Sequence, residues 1–305
     1  MGLREVSRTS FSSIERENER IRKEINETGA DRIPLKGNKR RSITKTVVYF
    51  VAGILFFILM WWIVSEVYNT YFMYSLRFPT PSMVFSRLEY MFFGDFKIGN
   101  NTIYTHIESS LERWISGFIV GFSIGLILGV ILSSNNKLYE FGMVPIGIWQ
   151  MIPSLAWLPV TILLFGFGTT SAIFIISASV VAPITINIAN GLKRVPPVYM
   201  KLSKMSEKSW GIRTVRVMIP YAALDVVTGL RIGMANGWRT LISAEMVIGV
   251  MIGLGWTINA ATGLSSYTTA FACIMIICAI GIVIDRIILA NIEKIVRKKM
   301  GLEDL

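Results

Sequence analysis

Few residues in this chain are of a type that does chemistry, and most of those sit inside apolar runs. His106 is the only histidine, and Cys273 and Cys278 are the only cysteines. An imidazole-based metal site needs several ligands at short spacing, and a Ser-His-Asp triad needs a histidine beside its nucleophile; around His106 neither set is present. The two cysteines share one apolar run and read as packed or lipid-facing thiols. No Gly-x-x-x-x-Gly-Lys-Ser/Thr phosphate loop occurs, so any nucleotide hydrolysis belongs to another chain. No catalytic residue, metal site or resident cofactor is expected.

Charge inside the apolar runs is the more informative chemistry. Arg231, Arg239 and Glu245 fall in one such run. An ionisable group in hydrocarbon costs about 2.5–3.5 kcal/mol even on insertion scales, so each needs a partner or water. Arg239 and Glu245 lie about 9 Å apart along an ideal helix and on divergent faces, so they are not expected to pair with each other. Arg231 reads as an anchor or bundle contact, and Glu245 as either a pairing between helices or a group in a pathway. Gln150, Ser154, Trp157, Asn236, Trp238, Arg239 and Glu245 are the candidates to line a pathway, each also able to serve in helix packing. Arg113, beside Glu112, reads as a side chain snorkelling toward the surface.

The elements that position these groups follow from hydropathy. About half of the residues are apolar, and they come in blocks long enough for about 20 helical residues across a hydrocarbon core of about 30 Å. The blocks run from about Thr46 to Tyr68, Leu111 to Leu132, Phe141 to Phe167, Ser171 to Leu192, Ala222 to Leu254 and Thr268 to Ala290. Pro153 and Pro159 are expected to kink the third, and Gly253-Leu254-Gly255-Trp256 suits a brief re-entrant piece. In the mixed segment from Tyr71 to Thr105, the prolines of Phe78-Pro79-Thr80-Pro81-Ser82 are expected to break any helix and form a rigid turn.

The net charge of +11 invites a nucleic-acid reading, but position argues against it. Twelve of the 31 Lys and Arg precede Val47, interleaved with Glu, and most of the rest lie in loops beside apolar blocks. That is the positive-inside pattern rather than a phosphate-binding face, and it orients both termini toward the cytoplasm. Residues 1–43 read as a polar, basic tail with a short helix capped by Ser12 and Glu15. Residues 44–292 form the membrane domain and 293–305 a second tail.

Between the fourth and fifth blocks, residues 193–220 form a basic loop with more order than a linker. Pro197 suits a first helical position, Val198, Leu202, Met205 and Trp210 give an apolar stripe near helical spacing, and Gly211 is expected to end the helix. An apolar stripe on a surface helix needs a partner, either lipid or protein.

This loop resembles the cytoplasmic coupling loop of ATP-binding-cassette importer permeases. Ile219-Pro220 matches its end, Glu207 stands where that family has a glycine, and Lys201, Leu202 and Ser203 stand where it has Glu-Ala-Ala. Over residues 45–300 the order of Phe78-Pro79-Thr80-Pro81, His106 to Arg113, Ile152-Pro153-Ser154-Leu155-Ala156-Trp157-Leu158-Pro159, Phe165-Gly166-Phe167-Gly168, Gly229-Leu230-Arg231, Trp238, Ala244-Glu245-Met246 and Gly253-Leu254-Gly255 resembles the nitrate/sulfonate/taurine-type permeases.

The resemblance implies an all-α membrane protein with about six transmembrane helices in a type I importer permease-like (MetI-like) bundle. It implies a prokaryotic inner-membrane location and a permease homodimer. The partners it implies are a cytoplasmic ATPase dimer, which holds ATP and Mg, and an extracytoplasmic solute-binding protein. The solute would be small and anionic, such as nitrate, a sulfonate, taurine or bicarbonate, or else a thiamine-precursor pyrimidine. Pro197, Lys201, Leu202, Met205, Glu207, Trp210, Gly211, Ile219 and Pro220 would then form the ATPase-coupling loop. The alternative is an ion-gradient-driven transporter or channel using Glu245 as its carboxylate, against which stand the absence of an evident inverted repeat and the scarcity of acidic residues in the spans.

Overall fold

The computed structural model describes residues 39–72, 77–205 and 209–300. Its helices are α1 (Lys39–Tyr71), α2 (Pro81–Phe93), α3 (Ile103–Ser133), α4 (Asn136–Met151), α5 (Leu158–Phe165), α6 (Thr169–Lys193), α7 (Pro197–Met205), α8 (Trp210–Arg213), α9 (Ala223–Val247), α10 (Leu254–Gly263), α11 (Tyr267–Ile282) and α12 (Ala290–Lys299). A 3-10 turn, Ser154–Trp157, leads into α5. π-helical turns, Thr214–Met218 and Val283–Leu289, continue α8 and α11. Four helical stretches are long and apolar enough to cross a membrane, or six when each of two bent pairs counts as one span. Among the described residues the expected apolar blocks are thus helical, as four spans or up to six. The capping box at Ser12 and Glu15 lies outside the described residues.

Packing divides the chain at Trp61/Trp62, inside α1, and the larger unit is Trp62–Leu305. Within that unit Asn69 binds both the N–H and the C=O of Phe78, at 2.8 and 3.0 Å, and Ser65 Oγ donates to Pro79 O at 3.2 Å. The two prolines do more than break a helix. Pro81 opens α2 at its first position, where a missing N–H costs nothing, and Thr80 caps it by accepting from Met83 N.

The bend in the third block is sharp, 97° between α4 and the segment Ser154–Phe165. Pro153 causes it: Ile152 before it is held extended, as a residue preceding proline prefers, and the helix stops there. Pro159 sits in the first turn of α5, where proline is tolerated, so it contributes less than expected.

Helix α6 is the centre of the bundle, with 72% of its most apolar window buried. It is clasped by two rows of glycines. On α3, Gly117, Gly121, Gly125 and Gly129 recur every fourth residue and face Ile176, Val180, Ile184 and Ile188 of α6; on α9, Gly229, Gly233 and Gly237 face Asn187, Ile184 and Val180. A Cβ added at Gly125 would stand 2.8 Å from Ile184 Cβ and 3.0 Å from Val181 O. Backbones this close also bring hydroxyls within reach, and Ser177 Oγ donates to Gly117 O at 2.9 Å and Thr185 Oγ1 to Gly125 O at 3.3 Å. Lipid tails are as apolar as leucine, so close packing and such hydrogen bonds drive the association.

Gly125→Leu should therefore lower stability by about 1–3 kcal/mol, the range of overpacked cores, read as a lower thermal unfolding midpoint in detergent. Gly147→Ala on α4, whose Cβ would meet nothing within 4 Å, should leave the midpoint unchanged or slightly raised. Equal midpoints for Gly125→Leu and wild type would contradict a close-packed seam.

Candidate functional site

The bend at Pro153 opens a cavity of about 320 Å³ between α4, the Ser154–Trp157 turn, α6 and α9. Gln150, Ser154, Trp157, Asn236 and Arg239 all line it, so five of the seven pathway candidates converge. Trp149 and Trp157 stack along one wall with ring centroids 4.7 Å apart, and Trp149 Nε1 is held by Ala178 O at 2.9 Å. Thr240 Oγ1 donates to Ser154 Oγ at 3.0 Å, tying α9 to the turn. Arg239 donates to Ala235 O at 3.1 Å and to Asn236 Oδ1 at 2.8 Å, both on its own helix.

The other two candidates lie elsewhere. Trp238 is buried on another face of α9, its Nε1 on Ile277 O at 3.3 Å and its ring edge-on to Trp114. Glu245 is 1% exposed and outside the cavity lining. Its carboxylate accepts from Arg113 Nη1 at 2.7 Å, from Ser110 Oγ at 2.9 Å and from the Gly255 N–H at 2.9 Å. The expected divergence of Arg239 and Glu245 holds, and the cation that Glu245 needs comes from another helix.

Arg113 is a correction to the sequence reading. Rather than snorkelling, it is 8% exposed, because a buried carboxylate and the Ile252 carbonyl at 2.7 Å satisfy it inside the bundle. The same network holds the turn before α10. Ser110 Oγ accepts from Leu254 N at 2.8 Å, and His106 Nδ1 accepts from Gly253 N at 3.0 Å. His106 Nε2 then donates to Ile98 O at 3.2 Å, which assigns the neutral tautomer. Gly253 has φ +149°, and a Cβ there would lie 2.5 Å from the Glu245 carboxylate, so glycine is required on both counts. Arg231 meets its expected role as a bundle contact, bonding Asp285 at 2.8 Å and Glu293 at 3.0 Å.

The coupling-loop residues take a different form from the one expected. Pro197 opens α7, and Val198, Leu202 and Met205 are exposed along it at 64%, 59% and 80%. Lys201 is exposed beside them. Glu207 lies outside the described residues. Gly211 does not end the helix: Ser209 already lies outside any helix, and Gly211 sits inside α8 directly after the exposed Trp210. A glycine without an αL conformation is no terminator. Ile219 and Pro220 form the last helical turn before a 76° bend into α9. The glycine rows and the Arg113–Glu245 pair were missed in the sequence. The four-residue glycine spacing was legible there, whereas the pairing of residues 132 apart was not.

Breaking a buried ion pair from one side strands a charge, at a cost of about 3–5 kcal/mol, while removing both partners costs far less. Arg113→Met and Glu245→Leu should each destabilise the solubilised protein by that amount, and the double variant by well under the sum. Strictly additive losses in thermal or denaturant unfolding would show that the two are uncoupled.

Comparison with known proteins identifies the family of the chain. The model of the family described as binding-protein-dependent transport system inner membrane component matches residues 121–298. An ABC transporter permease protein of Methanocaldococcus jannaschii is 32% identical over 62% of this chain and 71% of its own length. The bicarbonate transport system permease protein CmpB of Synechococcus elongatus is 29% identical over 78% of this chain and 85% of its own. The taurine transport system permease protein TauC of Escherichia coli is 25% identical over 81% and 88%. Among solved structures, a chain of the inward-facing MetNI methionine ABC transporter superposes with a TM-score of 0.50 at 20% identity, covering 61% of this chain and 93% of that one. With α3 and α9 clasped on α6 by their glycine rows, the chain belongs to the family of binding-protein-dependent transport system inner membrane components and is a multi-pass membrane permease.

Proposed function

We propose that this permease forms the pathway of an ATP-driven importer for a small anionic solute. In this reading it works as a homodimer, with both termini and α7 on the cytoplasmic side. An ATPase dimer carrying ATP and Mg docks on α7, and an extracytoplasmic binding protein delivers solute to the opposite face. The observation that carries the reading is the exposed apolar face of α7, Val198, Leu202 and Met205, in the loop between α6 and α9. An apolar surface of this kind, rimmed by Lys201 and Lys204, marks a protein contact. The bend that follows Ile219 and Pro220 places the loop at the foot of α9, and α9 carries Asn236, Arg239 and Thr240 of the cavity. Movement of α7 with the ATPases therefore reaches the cavity through one helix. ATP-driven approach of the ATPases shifts the equilibrium between inward- and outward-open bundles by their differential affinity for the two states.

Mild solubilisation from the native membrane should recover a stoichiometric ATPase with this chain. Met205→Asp combined with Trp210→Asp should abolish that recovery while leaving membrane insertion intact, measured by co-purification and by the membrane fraction. Retained association would remove this face from the interface, and full transport by the chain alone in ATP-free vesicles would overturn the importer reading.

A further inference from the structure

We infer that the cavity between α4, α6 and α9 is a selectivity site for a solute bearing an oxyanion, with Arg239 as the recognising cation and Asn236 as the residue that orients it. The inference rests on the permease reading and narrows its solute class.

Among the described residues Arg239 is the only charged side chain lining the cavity. Among the described residues no carboxylate pairs with it: Glu245 is taken by Arg113, and Asp285 and Glu293 by Arg231. The Arg239 guanidinium gives the cavity a positive charge. A cation within a membrane span needs a counter-charge or water, and here the counter-charge is left to the solute. Two of the five guanidinium N–H groups are used, by Ala235 O and Asn236 Oδ1, both uncharged acceptors. Nη1 is committed to neither.

Two other polar groups are turned the same way, while the Ser179 and Thr240 hydroxyls spend their protons on Ile176 O and Ser154 Oγ. Asn236 presents its oxygen to Arg239, which leaves its amide N–H groups as the free end. Ser154 Oγ accepts from Thr240, which leaves its own proton free to donate. Gln150 adds a further amide, and no carboxylate lines the space. The cavity therefore offers an oxyanion the donors of Arg239, Asn236 and Ser154, and the planar Arg fork matches two oxygens at once. The stacked Trp149–Trp157 pair lines the cavity and is left to any apolar remainder of the solute. A neutral pyrimidine gains nothing from this charge, and a cationic solute is repelled.

The test uses the permease with its co-purified ATPase in nanodiscs. The thermal unfolding midpoint is titrated with sodium nitrate, sodium bicarbonate, taurine and a neutral aminopyrimidine against sodium chloride at matched ionic strength. At least one of the three oxyanions should raise the midpoint of wild type and the aminopyrimidine should not. Because charge-assisted hydrogen bonds are the strong ones, Arg239→Gln should weaken the response about tenfold or more; Arg239→Lys should recover part of it. If Arg239→Gln fails to assemble, Asn236→Ala, which keeps the charge but releases its orientation, should weaken the response about three- to tenfold. No wild-type response to any oxyanion, an equal response in the variants, or a response to the aminopyrimidine alone overturns the inference. ATPase co-purification reports on the permease reading separately, so the two fail apart.

Discussion

In a lipid solvent the hydrophobic effect does not press helices together, so this bundle depends on how closely its backbones approach α6. The glycine rows of α3 and α9 set that approach. Four glycines on one side and three on the other let the β-branched face of α6, Ile176, Val180, Ile184 and Ile188, seat directly on opposing backbone. Each contact is weak, but a row of them along 25-residue helices fixes axial register as well as distance. Register then places Ser177 and Thr185 beneath glycine carbonyls, and it places Arg239 and Thr240 opposite the turn that follows Pro153.

The second constraint is ionic and acts at one end of the same helices. Arg113 on α3 and Glu245 on α9 neutralise each other in a space too dry for either alone, and the remaining lone pairs of Glu245 are filled by Ser110 and the Gly255 N–H. Such a pair contributes little net stability against an apolar isostere, but it admits one arrangement of its surroundings. Here that arrangement includes the positive-φ turn at Gly253, the His106–Trp256 stack at 5.5 Å and the start of α10. About two turns into α9 from its start, Arg231 is bound to Asp285 and Glu293. Helix α9 is thus held ionically on both sides of Arg239, which faces the cavity. Along an ideal helix it stands about 12 Å from Arg231 and about 9 Å from Glu245. A rigid helix with a cation in its middle and a bent foot is suited to carry a displacement from the loop at Pro197–Met205 to the cavity.

The sequence by itself determined the class of the molecule. Apolar block length imposes membrane helices because unpaired backbone groups are intolerable in hydrocarbon, and that rule is local enough to read along the chain. Gln150, Ser154, Trp157, Asn236 and Arg239 were legible as pathway candidates or packing contacts by residue type, but that they line one cavity follows only from the fold. The exposed stripe on α7 was legible from helical periodicity alone. What only the tertiary structure decided is which charges are spent on the bundle and which remain for a solute. Arg113 and Arg239 are the same residue type in similar apolar surroundings, and nothing local separates them. Their roles diverge because α3 and α9 pack in one register around α6, which brings Glu245 to Arg113 and leaves Arg239 facing open space. Gly211 fails as a helix terminator for a related reason: a stop signal acts through the backbone conformation its surroundings impose, not through residue type.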